Sequence, residues 1–319
     1  MVGQEPDPGD LLRFVGSFTD DNHPEVVMMT GGEPLLRPEL ATEVAQTARR
    51  AGTRSALLTG AYFARQSRPP ARIMRAIGAV DHFSVSIDAF HERQIPRDDV
   101  FRLLRWALDA GVPVSLHVAG FGDDDPYLAE LTARARQAFG DQVPMLVNTV
   151  RPVGRAAAWL AAQPAPAERR QVLPCAMAAW PVVAHDGMIL ACCNQTTVDA
   201  RPAPEHLRLG HIGTDDWAGA RARALASPTL RMIRVTGPVY LLASQGKPAA
   251  GYCTACRRLG EHPDVIEAVQ GFASGAAGAL LDRQAARVQV ASGPVTLVRR
   301  HGCARYAELV ALPASEEAA

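Results

Sequence analysis

EVVMMTGGEP, residues Glu25–Pro34, is the stretch on which the fold turns. Glu25–Thr30 is a short apolar run of strand length that stops at two adjacent glycines, Gly31 and Gly32. Leu36–Ala51 then places apolar residues at Leu36, Leu40, Val44 and Ala48, a helical spacing, with Gly52 where a C-terminal cap belongs. A strand that turns tightly into a helix is the opening unit of an α/β sheet.

The unit recurs downstream. Strands are predicted at Arg54–Thr59, His82–Ile87, Val112–Val118 and Val143–Val150. Helices are predicted at Pro70–Ile77, from a cap at Asp98 to Ala110, and at Pro126–Phe139. Five strands in alternation with helices predict a parallel sheet with right-handed crossovers. The pattern breaks at AAQPAPAERR (161–170), an Ala/Pro-rich linker. Beyond it, Trp180–Ala184 and Met188–Cys192 flank His185-Asp186-Gly187, a strong hairpin signal. Helical patterns follow near 215–226 and 228–235. The last stretch reads as helices near 263–272 and 278–287 and a strand near 293–299.

Composition narrows the function. The 319 residues are 48% hydrophobic and 21% charged, a globular balance. Zero formal net charge removes the electrostatic case for a nucleic-acid or anionic-membrane partner. The polar start MVGQEPDPGD is no signal peptide and no apolar run is long enough to span a bilayer, so the expected address is the cytoplasm. Lys247 is the only lysine among 33 basic residues; with abundant Ala, Gly and Pro, this is the composition of a GC-rich, bacterial coding sequence.

Four places carry chemistry. Gly31 and Gly32, with Glu33 and Pro34, stand at the carboxyl end of a strand, where bare backbone can lie against a ligand or simply turn. Ser86 and Asp88 point to one face of a later strand, and suit a ribose or an amino acid moiety, or a loop cap. Arg151-Pro152-Val153-Gly154-Arg155 follows the fifth strand, and is a flat-ring and carboxylate site or a helix start. The fourth place is the cysteines. The hairpin turn at Gly187 brings the chain back toward Cys175, with one of Cys192 and Cys193 available to it, and Cys253-Thr-Ala-Cys256 is a CxxC. Four thiolates suit tetrahedral Zn²⁺ or a [4Fe–4S] cluster, and spacing does not choose between them. His91, His117, His185, His211 and His301 form no ligand spacing and read as packed or surface residues, and Cys303 as a buried thiol.

In order and together, these features resemble the radical S-adenosylmethionine enzymes over about residues 8–260. TGGEPLLRPEL (Thr30–Leu40) is similar to that family's glycine-rich segment after the second barrel strand, which holds the methionine amino group. Ser86 and Asp88, in SVSIDAFHE, match fourth-strand positions facing the ribose. RPVGRA (Arg151–Ala156) resembles the segment near the adenine. The resemblance implies cofactor contacts at Gly31, Gly32, Glu33, Pro34, Ser86, Asp88, Gly154 and Arg155. The second half resembles the auxiliary-cluster extension of the shorter "twitch" kind, related to SPASM domains, which implies Cys175, Cys192, Cys253 and Cys256 as ligands of one [4Fe–4S] cluster. Only Cys303 follows Cys256, so a second auxiliary cluster is not expected.

The sequence departs from the family at one place. Members carry CxxxCxxC after the first strand, holding the cluster that binds and cleaves S-adenosylmethionine to a 5′-deoxyadenosyl radical, whereas no cysteine here precedes Cys175. By that register Glu25–Thr30 is the second strand, an unpaired edge, and residues 8–20 are the first helix. Two accounts fit the gap: a start set downstream of the true one, or a relative without that cluster. The expected architecture is therefore α/β, a partial (β/α) barrel of parallel strands lacking its first strand (1–158). A linker (159–171), a small α+β cysteine-bearing domain (172–262) and a C-terminal extension (263–319) follow it. The expected intact activity is hydrogen abstraction leading to net oxidation or peptide modification, with a small-molecule or peptide substrate and a reductant protein as partners. The chain as written is expected to be inactive in reductive cleavage. A non-catalytic binding or partner protein and a structural zinc protein are the alternatives.

Overall fold

Strands β1 (Val26–Met29), β2 (Arg54–Thr59), β3 (His82–Asp88), β4 (Val114–Gly120) and β5 (Met145–Thr149) lie side by side in chain order. Every neighbouring pair is parallel. In the computed structural model, which describes residues 5–66, 69–150, 172–249 and 251–311, these strands form a curled half-barrel sheet with helices between them, an α/β fold. Helices α2 (Pro38–Arg50), α3 (Ala71–Ala79), α4 (Arg97–Asp109) and α5 (Pro126–Phe139) carry the crossovers.

Period-two alternation gives the sheet two unlike faces. Val85, Ile87, Leu116, Val118, Met145 and Val147 are buried, and share one core with Leu104 of α4 and Leu128 and Leu131 of α5. The other face carries Ser84, Ser86 and Asp88 on β3 beside Ser115, His117 and Ala119 on β4. The open edge is β1, where Val26 and Met28 are 44% and 47% exposed.

The chain divides into two compact units. Phe18–Val150 with Ser292–Ala319 forms the half-barrel unit; Met1–Ser17 with Arg151–Ala291 forms the other. The C-terminal residues complete the half-barrel core. The Cys303 backbone N–H donates to the Val147 carbonyl at 3.0 Å, and Cys303 and Tyr306 are buried with the sheet's apolar face.

The second unit holds a three-stranded antiparallel sheet, β6 (Val182–Val183), β7 (Met188–Leu190) and β8 (Arg208–His211). The predicted hairpin is its core, turning at Gly187 (φ 86°) with Arg201 clamping the turn's Asp186 at 2.6 and 2.7 Å. Helices at Pro228–Val235, Pro238–Ala243, Tyr252–Arg258 and Pro263–Ala273 pack around Leu230, Ile233, Leu242, Leu259 and Val265. The N-terminal helix α1 (Pro8–Val15) belongs to this unit. Arg13 donates to the Ile212 carbonyl, and Trp217 N–H donates to Ser17 Oγ at 2.9 Å.

Two expectations fail. The predicted strand near 293–299 is helical, part of Gly275–His301, which is interrupted at Gly293 (φ 66°, ψ 179°). Its β-branched residues favour a strand, but Pro294 is pre-set for a helix's first turn, and Val295 and Val298 recur at helical spacing with Val298 buried. Asp98 is not a cap: α4 starts at Arg97 after Pro96, and Asp98 stands in its first turn, where its charge suits the helix dipole.

Candidate functional site

Three strand ends meet at the sheet's carboxyl edge. After β1, Gly31 takes φ +114°, a conformation that favours glycine, and a Cβ built on Gly31 or Gly32 meets nothing within 4 Å. Both glycines are exposed. Pro34 opens a 3₁₀ turn over Pro34–Leu36 that carries the chain into α2.

Glu33 fixes this loop to its neighbour. Its carboxylate accepts from Leu35 N–H at 3.1 Å, from the Thr59 hydroxyl at 2.8 Å and from Gly60 N–H at 2.9 Å. Thr59 Oγ1 in turn accepts from the N–H of Ala61, a non-glycine residue at φ 54°. Glu33 therefore works as a latch between the β1 and β2 loops, and leaves the glycine backbone facing open space.

The next loop is built alike. Ser86 and Asp88 are half-buried on the polar face of β3. Asp88 Oδ1 accepts from Phe90 and His91 N–H at 2.7 and 2.8 Å, and Oδ2 pairs with His91 Nδ1 at 2.6 Å. Burial works to raise the Asp88 pKa, but the His91 ring and the two backbone N–H groups outweigh it and hold the carboxyl below its usual range. A Cβ placed on Gly60 would lie 3.7 Å from both Glu33 Oε2 and His91 Nε2, so Glu33 and the Asp88–His91 pair share one edge of the sheet.

The arrangement is a rigid rim with an exposed glycine backbone beside it. Loops at the carboxyl ends of parallel strands are where α/β sheets bind ligands. Residues 2–135 match the family model of the Radical SAM superfamily. That segment, less than half of the chain, is similar to a superfamily whose function draws on S-adenosylmethionine and iron–sulfur chemistry. No curated protein matches the chain closely enough to count as a relative.

The radical SAM-type segment contains the latch and the Asp88 loop whole. It contains no cysteine. Gly154 and Arg155, with the rest of Arg151–Ala156 and the linker, lie outside the described residues. Thr59, Gly60 and His91 are the site residues that sequence reading passed over. Thr59 and Gly60 end a strand at the same edge as Gly31, and His91 stands one helical step beyond Asp88, so position alone marks them.

The second unit carries the four predicted cluster ligands. The Cys175 N–H donates to the Ile233 carbonyl at 2.9 Å. The approach is close: a Cβ on Gly237 (φ 84°) would lie 1.7 Å from the Leu173 carbonyl oxygen, so only glycine lets this segment pass. Cys192 follows β7, half-buried, while Cys193 is exposed. Cys253 and Cys256 are one step apart on the Tyr252–Arg258 helix and so share a face. None of the six cysteines is in a disulfide, and Cys303 is 2% exposed in the half-barrel core.

Cys175, Cys192 and Cys253 lie near enough to Cys256 for their charge to bear on it. Burial pushes the Cys256 thiol well up, and negative charge on Cys175, Cys192 or Cys253 pushes it further. Tyr252 is raised by burial first, then by Cys175, Cys256 and Cys253. His206 lies beside the Cys256 backbone, its ring lowered to about 4 by burial. Among the described residues no group of three or more His, Cys, Asp or Glu side chains is placed so that it could hold a metal ion. Nor is any described helix long and apolar enough to cross a membrane.

Proposed function

We propose that the half-barrel binds S-adenosylmethionine along the carboxyl ends of β1–β3. In the same reading, Cys175, Cys192, Cys253 and Cys256 hold one auxiliary [4Fe–4S] cluster. Gly31 and Gly32 offer unhindered backbone to the methionine end, and Ser86 and the Asp88 loop face the ribose. What supports the reading is that Cys175, Cys192, Cys253 and Cys256 all fall in one compact unit, with Cys253 and Cys256 one step apart on a single helix. The donor set fits: four thiolates saturate a cubane cluster. A tetrahedral Zn²⁺ would draw its sulfurs in to about 2.3 Å from one point.

With its iron–sulfur partner, bound S-adenosylmethionine would supply radical chemistry, and a cluster held by Cys175, Cys192, Cys253 and Cys256 would supply a one-electron acceptor. The intact activity in this reading would be a net oxidation or modification of a small-molecule or peptide substrate. A reductant protein supplies the initiating electron. The 319 residues contain no CxxxCxxC, so this reading gives the half-barrel as written binding of S-adenosylmethionine without its cleavage.

Anaerobic reconstitution with iron and sulfide tests the cluster. The expected result is a brown protein with about four iron per chain, most of it lost in Cys256→Ser. A colourless protein holding one zinc ion, or iron retained in Cys256→Ser, overturns the assignment.

A further inference from the structure

The polar side chains on the half-barrel sheet fall into two groups. Nearer the amino ends of β3 and β4, His82 Nε2 and Ser84 Oγ each meet Ser115 Oγ at 2.8 Å, so this group satisfies itself. Toward the carboxyl ends, Ala119 of β4 lies between Asp88 of β3 and Asn148 of β5, with His117 two residues back on its own strand. His117 and Asn148 are half-buried, and among the described residues neither side chain has a hydrogen-bond partner. The Asp88 carboxylate is already taken by His91 and two backbone N–H groups. Ala119 is thus a small floor with two open hydrogen-bonding side chains beside it.

The surroundings decide what fits there. Strands about 4.8 Å apart, with same-face side chains about 6.6 Å apart along each, give the floor about the width of one sugar ring. Strands β3, β4 and β5 carry no Lys or Arg, so an anion bound here would be desolvated without a counter-charge. A neutral imidazole and a carboxamide each offer both a donor and an acceptor, which is the pairing a hydroxyl needs. Burial first, and then the like charge of His82, keeps the His117 ring neutral. Just past the carboxyl ends of β3 and β4, Phe90 and Phe121 meet edge to face with centroids 6.2 Å apart, and Phe121 is 51% exposed. Their backbones are fixed: Phe90 N–H donates to Asp88 at 2.7 Å and Phe121 N–H to Asp125 at 2.8 Å. A fixed aromatic wall next to neutral polar groups suits a ring with an apolar C–H face and hydroxyl edges.

We infer that His117 and Asn148 bind the hydroxyl groups of an uncharged, sugar-like substrate that lies over Ala119 and against Phe90 and Phe121. The inference rests on the reading of this sheet edge as the S-adenosylmethionine site, and adds the chemical class of the substrate beside it.

The test follows the His117 ring signal by nuclear magnetic resonance in the full chain with labelled histidine, assigned by its loss in His117→Gln. Methyl glucoside and methyl xyloside are the probes, with glucuronate as the charged comparison and N-acetylglycinamide as the amide one. Both glycosides are expected to shift the signal saturably, with affinity at least about tenfold above that of either comparison. A loss of about tenfold is expected in Asn148→Ala, and in Ala119→Leu, which fills the floor. No shift with the glycosides, equal affinity for glucuronate or N-acetylglycinamide, or an unchanged affinity in either folded variant overturns the inference. If Ala119→Leu loses the dispersed spectrum of a folded protein, Asn148→Ala decides alone. The titration is repeated with S-adenosylmethionine present. Competition between the two would make this floor the ribose seat and overturn the inference. Glycoside binding with no S-adenosylmethionine binding by calorimetry overturns the earlier reading and leaves the hydroxyl site standing.

Discussion

Gly32 shows how a residue can matter to a ligand and not to the fold. A Cβ there meets no atom within 4 Å. Gly32→Val therefore leaves the folded protein nearly untouched while filling the space beside the exposed backbone. We expect S-adenosylmethionine affinity to fall at least about tenfold, roughly 1.4 kcal/mol, with the melting temperature held within about 2 °C. Calorimetric titration of both proteins measures this; equal affinities would place the ligand elsewhere. The Gly-Gly pair was legible as a strand-end turn, since Gly31 takes a φ of +114° that favours glycine, while the sequence left a ligand cradle and a simple turn equally open. Glu33 was legible as part of the motif but not as a latch, since its partners Thr59 and Gly60 stand 26 and 27 residues away and only the parallel pairing of β1 with β2 brings them near.

At the scale of elements, the β3–β4 pair sets a row of polar groups on one side of the sheet. His82 Nε2 and the Ser84 hydroxyl each meet Ser115 Oγ at 2.8 Å, and His117 stands opposite Ser86. Burial, then the like charge of His82, lowers His117 to about 4, and burial lowers His82 also. An unfolded histidine binds its proton near pH 6.5, so between pH 6.5 and 4 the unfolded chain takes up protons that the folded sheet refuses. Stability is therefore full above pH 6.5 and falls as the pH drops through that window, by on the order of 3 kcal/mol for His117. His117→Gln is expected to flatten the fall when denaturant midpoints are measured from pH 4 to 7. An unchanged slope would assign it to other groups. Asp88 acts below that window: its lowered carboxyl stabilises the fold above the ordinary carboxylate range and is lost only as stronger acid protonates it. Element identity was read well where punctuation and period agreed. Pro126 and Gly140 bracket α5, Pro228 starts the helix ending at Val235, and Arg54–Thr59 is a strand as predicted. It was misread at 293–299, where branched side chains spoke for a strand and Pro294 for a helix.

For the whole molecule, the decisive feature is that neither unit is a single run of sequence. The half-barrel borrows Ser292–Ala319, and the cysteine unit borrows Met1–Ser17. No local pattern announces such an exchange, because a helix reads the same whichever core receives it. Deleting residues 292–319 removes the Cys303 N–H that Val147 accepts from, and uncovers apolar surface that Cys303 and Tyr306 bury. The shortened protein is expected to lose the half-barrel's unfolding transition in calorimetry, or to show it several degrees lower, while still taking up iron in its cysteine unit. A half-barrel transition at its original temperature would show that the C-terminal residues are an accessory. The arrangement also constrains biosynthesis. Thr149 and Cys303 are 154 residues apart. At about 5–20 residues per second, a nascent chain waits roughly 8–30 s between releasing β5 and releasing the segment that covers it. Throughout that interval the ribosome holds a sheet with its last strand uncovered while the cysteine segment is being extruded. The apolar face that Cys303 and Tyr306 later bury stays open to solvent for that long.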